Sequence, residues 1–160
     1  MENRQKITVS VIGSHGNDIK VEQLAHKVGE IVANMDCVLV CGGLGGVMEA
    51  ASRGAKEAGG LTIGLLPGKD KADANPYIDI ALPTTIGYAR NAIVASSADI
   101  IIALPGSHGT NSEICYGLVF GRPVLDLGGW KIPGMIPVKG IKALPAILKR
   151  YVTKIRQQKV

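Results

Sequence analysis

Cysteine is scarce in this sequence, with three in 160 residues, and none stands in a CxxC or Cys/His spacing that would bind zinc. Cys37 and Cys41 are four apart within one predicted strand, too far along it to bridge, and Cys115 falls in a predicted helix. A disulfide framework and a thiolate metal centre are thereby excluded, and buried, reduced thiols are expected. Long apolar runs are also missing. Asp99-Ile-Ile-Ile-Ala-Leu104 is of strand length, well short of the ~20 residues of a membrane helix. Met1–Lys6 lacks the apolar core of a signal peptide, so a cytoplasmic protein with no membrane partner is expected.

Two common phosphate-loop patterns are absent as well. No GxxxxGK[ST] occurs, and Met48 stands where Gly43-x-Gly45 would need its third glycine for GxGxxG. Ordinary dinucleotide dehydrogenases and P-loop NTPases are disfavoured on that ground. Acids are missing from the tail: from Leu127 onward there are eight basic residues and none acidic, against ten basic and thirteen acidic before it. The net charge of +5 therefore belongs to the tail. There Leu144, Ile147, Leu148, Tyr151, Val152 and Ile155 form one apolar stripe with the charges opposite and a single aromatic among them. That is the solvated face of a core-packing helix rather than a nucleic-acid surface.

What is present in quantity is apolar residue, 46%, and glycine, 21 residues, clustered without a collagen-like period. The apolar patterns alternate between strand and helix. Strands are predicted at Ile7–Ile12, Asp36–Cys41, Leu61–Leu66, Tyr77–Leu82, Asp99–Leu104 and Pro123–Leu127. Helices are predicted behind the Asn17-Asp18 cap signal, from Val47 to a Gly59-Gly60 stop, and over Ile86–Ser97, Gly109–Gly121 and Ile141–Ile155. Pro67–Pro76 is too short and too polar for a crossover helix and is expected to be a mobile loop. Near-continuous apolar strands alternating with amphipathic helices predict one α/β domain over residues 1–160, Rossmann-like and doubly wound. Its mostly parallel sheet of six to seven strands would be covered by helices on both faces.

In such sheets ligands bind beyond the carboxyl ends of the strands, where helix N-termini face an anion. Four loops fit: Gly13-Ser14-His15-Gly16, Gly42-Gly43-Leu44-Gly45-Gly46, Thr84 to Arg90, and Pro105-Gly106-Ser107-His108-Gly109-Thr110. Their glycines let backbone approach a phosphate, while Ser14, Thr110 and Arg90 add hydroxyl and guanidinium donors. Ser107, His108 and Asn91 stand among them as further ligand contacts, and no metal ligand set accompanies them. His15 and His108 sit on loops expected to converge, and act either as proton donors and phosphate contacts or simply as loop polarity.

Leu104-Pro-Gly-Ser-His-Gly-Thr-Asn-Ser-Glu113 resembles the PGGxGTxxE motif of the Lonely Guy proteins, and Val40-Cys-Gly-Gly-Leu-Gly-Gly-Val-Met-Glu49 resembles that superfamily's first glycine loop. The second likeness is strongest to the branch containing molybdenum-cofactor carrier proteins. The resemblance implies a Rossmann-like fold, an assembly of two or four subunits and a phosphorylated small-molecule ligand. In the enzymes it further implies hydrolysis of the N-glycosidic bond of a nucleoside 5′-monophosphate, with Arg90 and Glu113 as the catalytic pair and Gly106, Gly109 and Thr110 on the phosphate. In the carriers it implies no chemistry and no resident cofactor, with molybdenum cofactor or a nucleotide as the bound ligand. Ser107 replaces the motif's second glycine, Arg90-Asn91 the usual Arg-Lys, and Asn111-Ser112-Glu113 the usual Leu-Glu-Glu. The last two changes fall on the enzymatic reading more than on the binding one.

A plainer role competes for Glu113. Thr110-Asn-Ser-Glu113 is also an S/T-x-x-E capping box, in which the glutamate only bonds back to the Thr110 N–H. Arg90 is expected in the first turn of its helix, where a cation opposes the dipole unless an anion lies beside it. Ile93, Val94, Ile114, Leu118, Val119 and Phe120 offer more apolar surface than one sheet face should cover, which predicts a homo-oligomer built on those two helices.

Overall fold

The computed structural model describes residues 5–158. Met1–Arg4 of the amino-terminal stretch and Lys159 of the basic tail lie outside them. Seven strands form one sheet, β1 (Thr8–Ile12), β2 (Val38–Cys41), β3 (Thr62–Leu66), β4 (Ile80–Pro83), β5 (Ile100–Ala103), β6 (Val124–Asp126) and β7 (Ile136–Pro137). Their order is β4-β3-β2-β1-β5-β6-β7. Every pairing is parallel. The architecture is α/β and Rossmann-like, and the strand order reverses between β1 and β5. That is the point at which a doubly wound sheet opens a crevice beyond its strand ends.

The central strands are buried on both faces because their only polar side chains are Thr8, at the start of β1, and Ser10, whose hydroxyl donates to the Val94 carbonyl at 2.7 Å. One face is covered by α1 (Ile19–Asn34), α2 (Val47–Glu57) and α5 (Leu144–Gln158). Asp18 caps α1 by accepting from the Lys20 and Val21 N–H groups. The other face carries α3 (Asn91–Ser96) and α4 (His108–Val119), which enclose a smaller core around Ile12, Ile101 and Ile114. The stripe on α5 packs as expected: Leu144, Leu148 and Val152 are buried and its lysines are exposed.

Several expectations are corrected. Pro67–Pro76 is pinned rather than free: Lys71–Asp73 form a 3-10 turn capped by Asp70, and the Asn75 N–H donates to the Gly43 carbonyl at 2.9 Å. The helix expected over Ile86–Ser97 is instead a 3-10 turn, Gly87–Arg90, running into the short α3, and positive φ at Thr85 and Gly87 keeps a helix from starting earlier. The fourth strand begins at Ile80, since Asp79 turns back to accept from the Thr62 N–H. Strand β7 completes the expected six to seven strands, although no predicted segment corresponds to it; it is two residues long and lies in a proline- and glycine-rich stretch. Cys37 and Cys41 are buried free thiols, with burial pushing Cys37 up to about 11, but Cys115 is exposed on α4. Val94 and Ile114, assigned above to an interface, belong to the core, whereas Val119 and Phe120 are exposed.

Candidate functional site

The reversal of strand order leaves a cavity of about 720 Å³ beyond the ends of β1 and β2, walled by the start of α4 on one side and by residues 88–91 on the other. That volume suits a nucleotide-sized ligand. Of the residues singled out from the sequence, Gly13, Gly42, Arg90, Asn91, Ser107, His108, Gly109, Thr110 and Glu113 line it, and His15 joins them. Ser14, Gly43, Gly45, Gly46 and Gly106 do not. Gly45 and Gly46 face a second, smaller cavity of about 350 Å³ with Glu49 and Arg53.

The residues outside the main cavity hold its loops together. The Ser14 N–H donates to the Pro105 carbonyl and its carbonyl accepts from the Val47 N–H, both at 2.9 Å, while its hydroxyl accepts from the Gly16 N–H. Three loops therefore meet at one residue. Gly46 makes the junction possible: its φ is +63°, and a Cβ there would lie 2.5 Å from the Ser14 carbonyl oxygen. Gly106 lets the Thr110 side chain pack against it, where a Cβ would come within 2.1 Å of the hydroxyl.

Arg90 is the buried cation of the floor, 6% exposed. Its Nε donates to the Leu65 carbonyl at 2.8 Å, one terminal nitrogen donates to the Asn91 side chain, and the other lies 3.4 Å from the Gly42 carbonyl. Gly42 is what admits it, because a Cβ would stand 2.6 Å from that terminal nitrogen. Asn91 extends the chain by donating to the Ser112 hydroxyl at 3.1 Å, and Ser112 donates to the Gly109 carbonyl at 2.6 Å. The guanidinium is thus locked in register with the first turn of α4. Burial pulls the Arg90 pKa down and Glu113 pulls it back up, yet an arginine stays charged at neutral pH.

Helix α4 begins at His108 with Ser107 as its N-cap, so Thr110 lies inside the first turn and the capping box does not form. No side chain caps this N-terminus, and its first N–H groups have no intrahelical partner. Glu113, one turn further in, is 8% exposed. Among the described residues neither a hydrogen bond nor an ion pair within 4 Å reaches its carboxyl; Arg90 acts on it only from a greater distance. Burial pushes Glu113 up to about 8, so at neutral pH it holds a proton. A neutral carboxyl donates a hydrogen bond and does not repel an anion.

Tyr88, Tyr116, Leu44, Met48 and Ser112 also line the cavity and were not picked out from the sequence. For Tyr116 and Ser112 a signal existed: Gly109, Ser112, Glu113 and Tyr116 recur at i, i+3, i+4 and i+7, one face of a helix. His15 and His108 share the cavity, whereas His26 bonds Glu57 of α2 at 2.6 Å. Among the described residues no group of three His, Cys, Asp or Glu is placed to hold a metal ion. No helix there is long and apolar enough to cross a membrane.

The chain is similar in sequence and fold to known proteins. A protein of Archaeoglobus fulgidus without a described function is 44% identical over 119 residues, 74% of this chain and 78% of that one. The molybdenum cofactor binding protein of Rippkaea orientalis superposes with a TM-score of 0.87 at 31% identity, covering 92% of this chain and 98% of its own. The molybdenum cofactor carrier protein of Chlamydomonas reinhardtii does so with a TM-score of 0.84 at 29% identity, covering 93% and 99%. The model of the SLOG cluster4 family matches residues 6–151, and the chain belongs to that family.

Proposed function

From that membership we propose that the protein binds a phosphorylated small molecule along α4 and carries it intact, molybdenum cofactor or a nucleotide of similar size being the cargo. The observation that carries this reading is the pairing of an uncapped helix N-terminus with a buried, charge-bearing Arg90 at opposite walls of one cavity. The phosphate sits at the N–H groups of His108 to Thr110, with the Ser107 and Thr110 hydroxyls beside it. Molybdenum cofactor supplies the matching chemistry, a terminal phosphomonoester on a compact ring system, and the two carrier-type neighbours named above support it.

The hydrolytic alternative asks Glu113 for a negative charge beside an oxocarbenium-like ribose. A carboxyl titrating near 8 does not offer that charge at neutral pH, and the departures at Asn91 and Asn111-Ser112 fall on the same role. The test is a thermal-shift series with nucleoside 5′-monophosphates and purified molybdenum cofactor, run beside an assay for free base. Stabilisation without release of base is expected. Release of base in repeated turnovers would replace the carrier with an N-glycosidic hydrolase.

The same reading includes a homo-oligomer. Ile93, Val119 and Phe120 are exposed on α3 and at the end of α4, Val119 at 79%. Light scattering at micromolar concentration should report a mass above that of one chain.

A further inference from the structure

Residues of α4 line the cavity from its first turn to Tyr116, and the lining changes character with distance from the helix start. At the first turn are Ser107, His108, Gly109 and Thr110; one turn on is Glu113; one more turn on is Tyr116. From His108 to Tyr116 is about 12 Å of helix rise. That is close to the span from the phosphate to the far edge of the ring in a nucleoside monophosphate or a phosphorylated pterin. An anion site, a polar midpoint and an aromatic end thus follow one another at the spacing of such a ligand.

A second aromatic lines the cavity from the opposite wall. Tyr88 is 84% exposed, which is costly for an unpartnered aromatic ring. Its backbone is nevertheless fixed: the Thr84 N–H donates to the Leu66 carbonyl, Thr85 to Gly68 and Gly87 to Pro67, at 2.9 to 3.0 Å. Tyr116 is braced from behind by Phe120, whose ring stacks on it at 6.1 Å and 14°. Between them the apolar lining is Leu44, Met48 and Val11. Two aromatic side chains on one cavity, Tyr116 braced by Phe120 and Tyr88 on an anchored backbone, both with free ring surface, form a receptor for a flat ring.

We propose that Tyr88 and Tyr116 are the specificity-determining residues of the site, stacking on the planar heterocycle of a ligand whose phosphate lies at the start of α4. This rests on the carrier reading above and adds the class of cargo: a phosphomonoester bearing a flat, conjugated ring, purine or pterin. A ringless sugar phosphate meets only the anion end.

The test compares guanosine 5′-monophosphate with ribose 5-phosphate by isothermal titration, for wild type, Tyr88→Ala, Tyr116→Ala and Tyr116→Phe. Wild type should bind the nucleotide more tightly than the sugar phosphate. Each alanine variant should weaken the nucleotide by roughly ten-fold while leaving the sugar phosphate unchanged, and Tyr116→Phe should restore binding. Tyr88 is exposed enough that its truncation leaves folding intact, which guards against a collapse of α4 in the Tyr116 variant. Equal losses for both ligands, or no loss in either alanine variant, would overturn the stacking role while leaving the anion site standing. Failure of wild type to bind the nucleotide more tightly than the sugar phosphate would overturn this inference, while the carrier reading is judged separately by the thermal shift with molybdenum cofactor.

Discussion

On one face of the sheet α1 and α2 meet backbone to backbone; on the other, the chain leading into α3 and the first turns of α4 are bridged by Asn91 and Ser112 and line a cavity. The first contact is made by glycines. A Cβ at Gly29 would lie 1.9 Å from the Ala51 carbonyl oxygen, and one at Gly54 would lie 2.0 Å from that of His26. The space beside that contact is the second, smaller cavity, lined by Glu22 of α1 and by Glu49, Ala50 and Arg53 of α2. Across the sheet α3 has only six residues, Arg90 and Glu113 are buried without an ion pair between them, and Tyr88, Val119 and Phe120 are exposed. One layer is optimised for packing, and the other forgoes packing at the strand ends to keep a polar, ligand-sized space.

Breaking the packed layer should have the largest effect on stability. Gly54→Val forces branched carbons into the α1 backbone, and a loss of about 3 kcal/mol is expected, read as a shift in urea midpoint. Its ligand affinity, measured on the folded fraction, should stay that of wild type, because Gly54 and the α1 backbone it touches do not line the cavity.

Breaking the open layer should do the reverse. Arg90→Ala removes the buried cation and should weaken a phosphorylated ligand by about a hundred-fold in a titration, the worth of a charge-assisted hydrogen bond in a dry site. Stability should fall by less than in the Gly54 variant, since the carbonyls of Leu65 and Gly42 lose a donor but water can enter the cavity in its place.

A smaller, pH-dependent effect sharpens the contrast. The folded chain holds the Glu113 proton up to about 8 against 4.5 for an unperturbed glutamate. The stability this proton provides is therefore complete below the unperturbed value, declines as pH rises from there towards 8, and is gone above it. Glu113→Gln, which cannot ionise, should flatten that part of the stability profile. Wild type should also lose affinity for a phosphate ligand above pH 8, as Glu113 becomes an anion beside it, and the glutamine variant should not.

The same contrast explains what could be read from the sequence. The packed layer follows from periodicity: Val28, Val32, Ala51 and Ala55 recur at helical spacing and are buried where that spacing puts them. The loops that converge on the cavity could also be located, because glycine clusters after apolar strands mark close backbone approaches. Which loop residues face the cavity could not. Ser14 bonds to Pro105 and Val47 on two other loops and Gly46 admits that junction, and only the tertiary arrangement decides that these groups face protein rather than ligand. Arg90 was placed at a helix start, but its burial depends on Gly42, 48 positions earlier. Strand β7 carries no signal, being two residues paired to β6 only through the tertiary fold.

The central claim is that a phosphorylated ligand lies intact along α4 with its phosphate on the first turn of that helix. The direct measurement is a crystal structure of the protein grown with a nucleoside 5′-monophosphate. The account predicts an unbroken ligand, phosphorus at the N–H groups of His108 to Thr110 and the ring toward Tyr88 and Tyr116. Phosphorus in the second cavity beside Arg53, or density for a free base and a separate sugar phosphate, would contradict it.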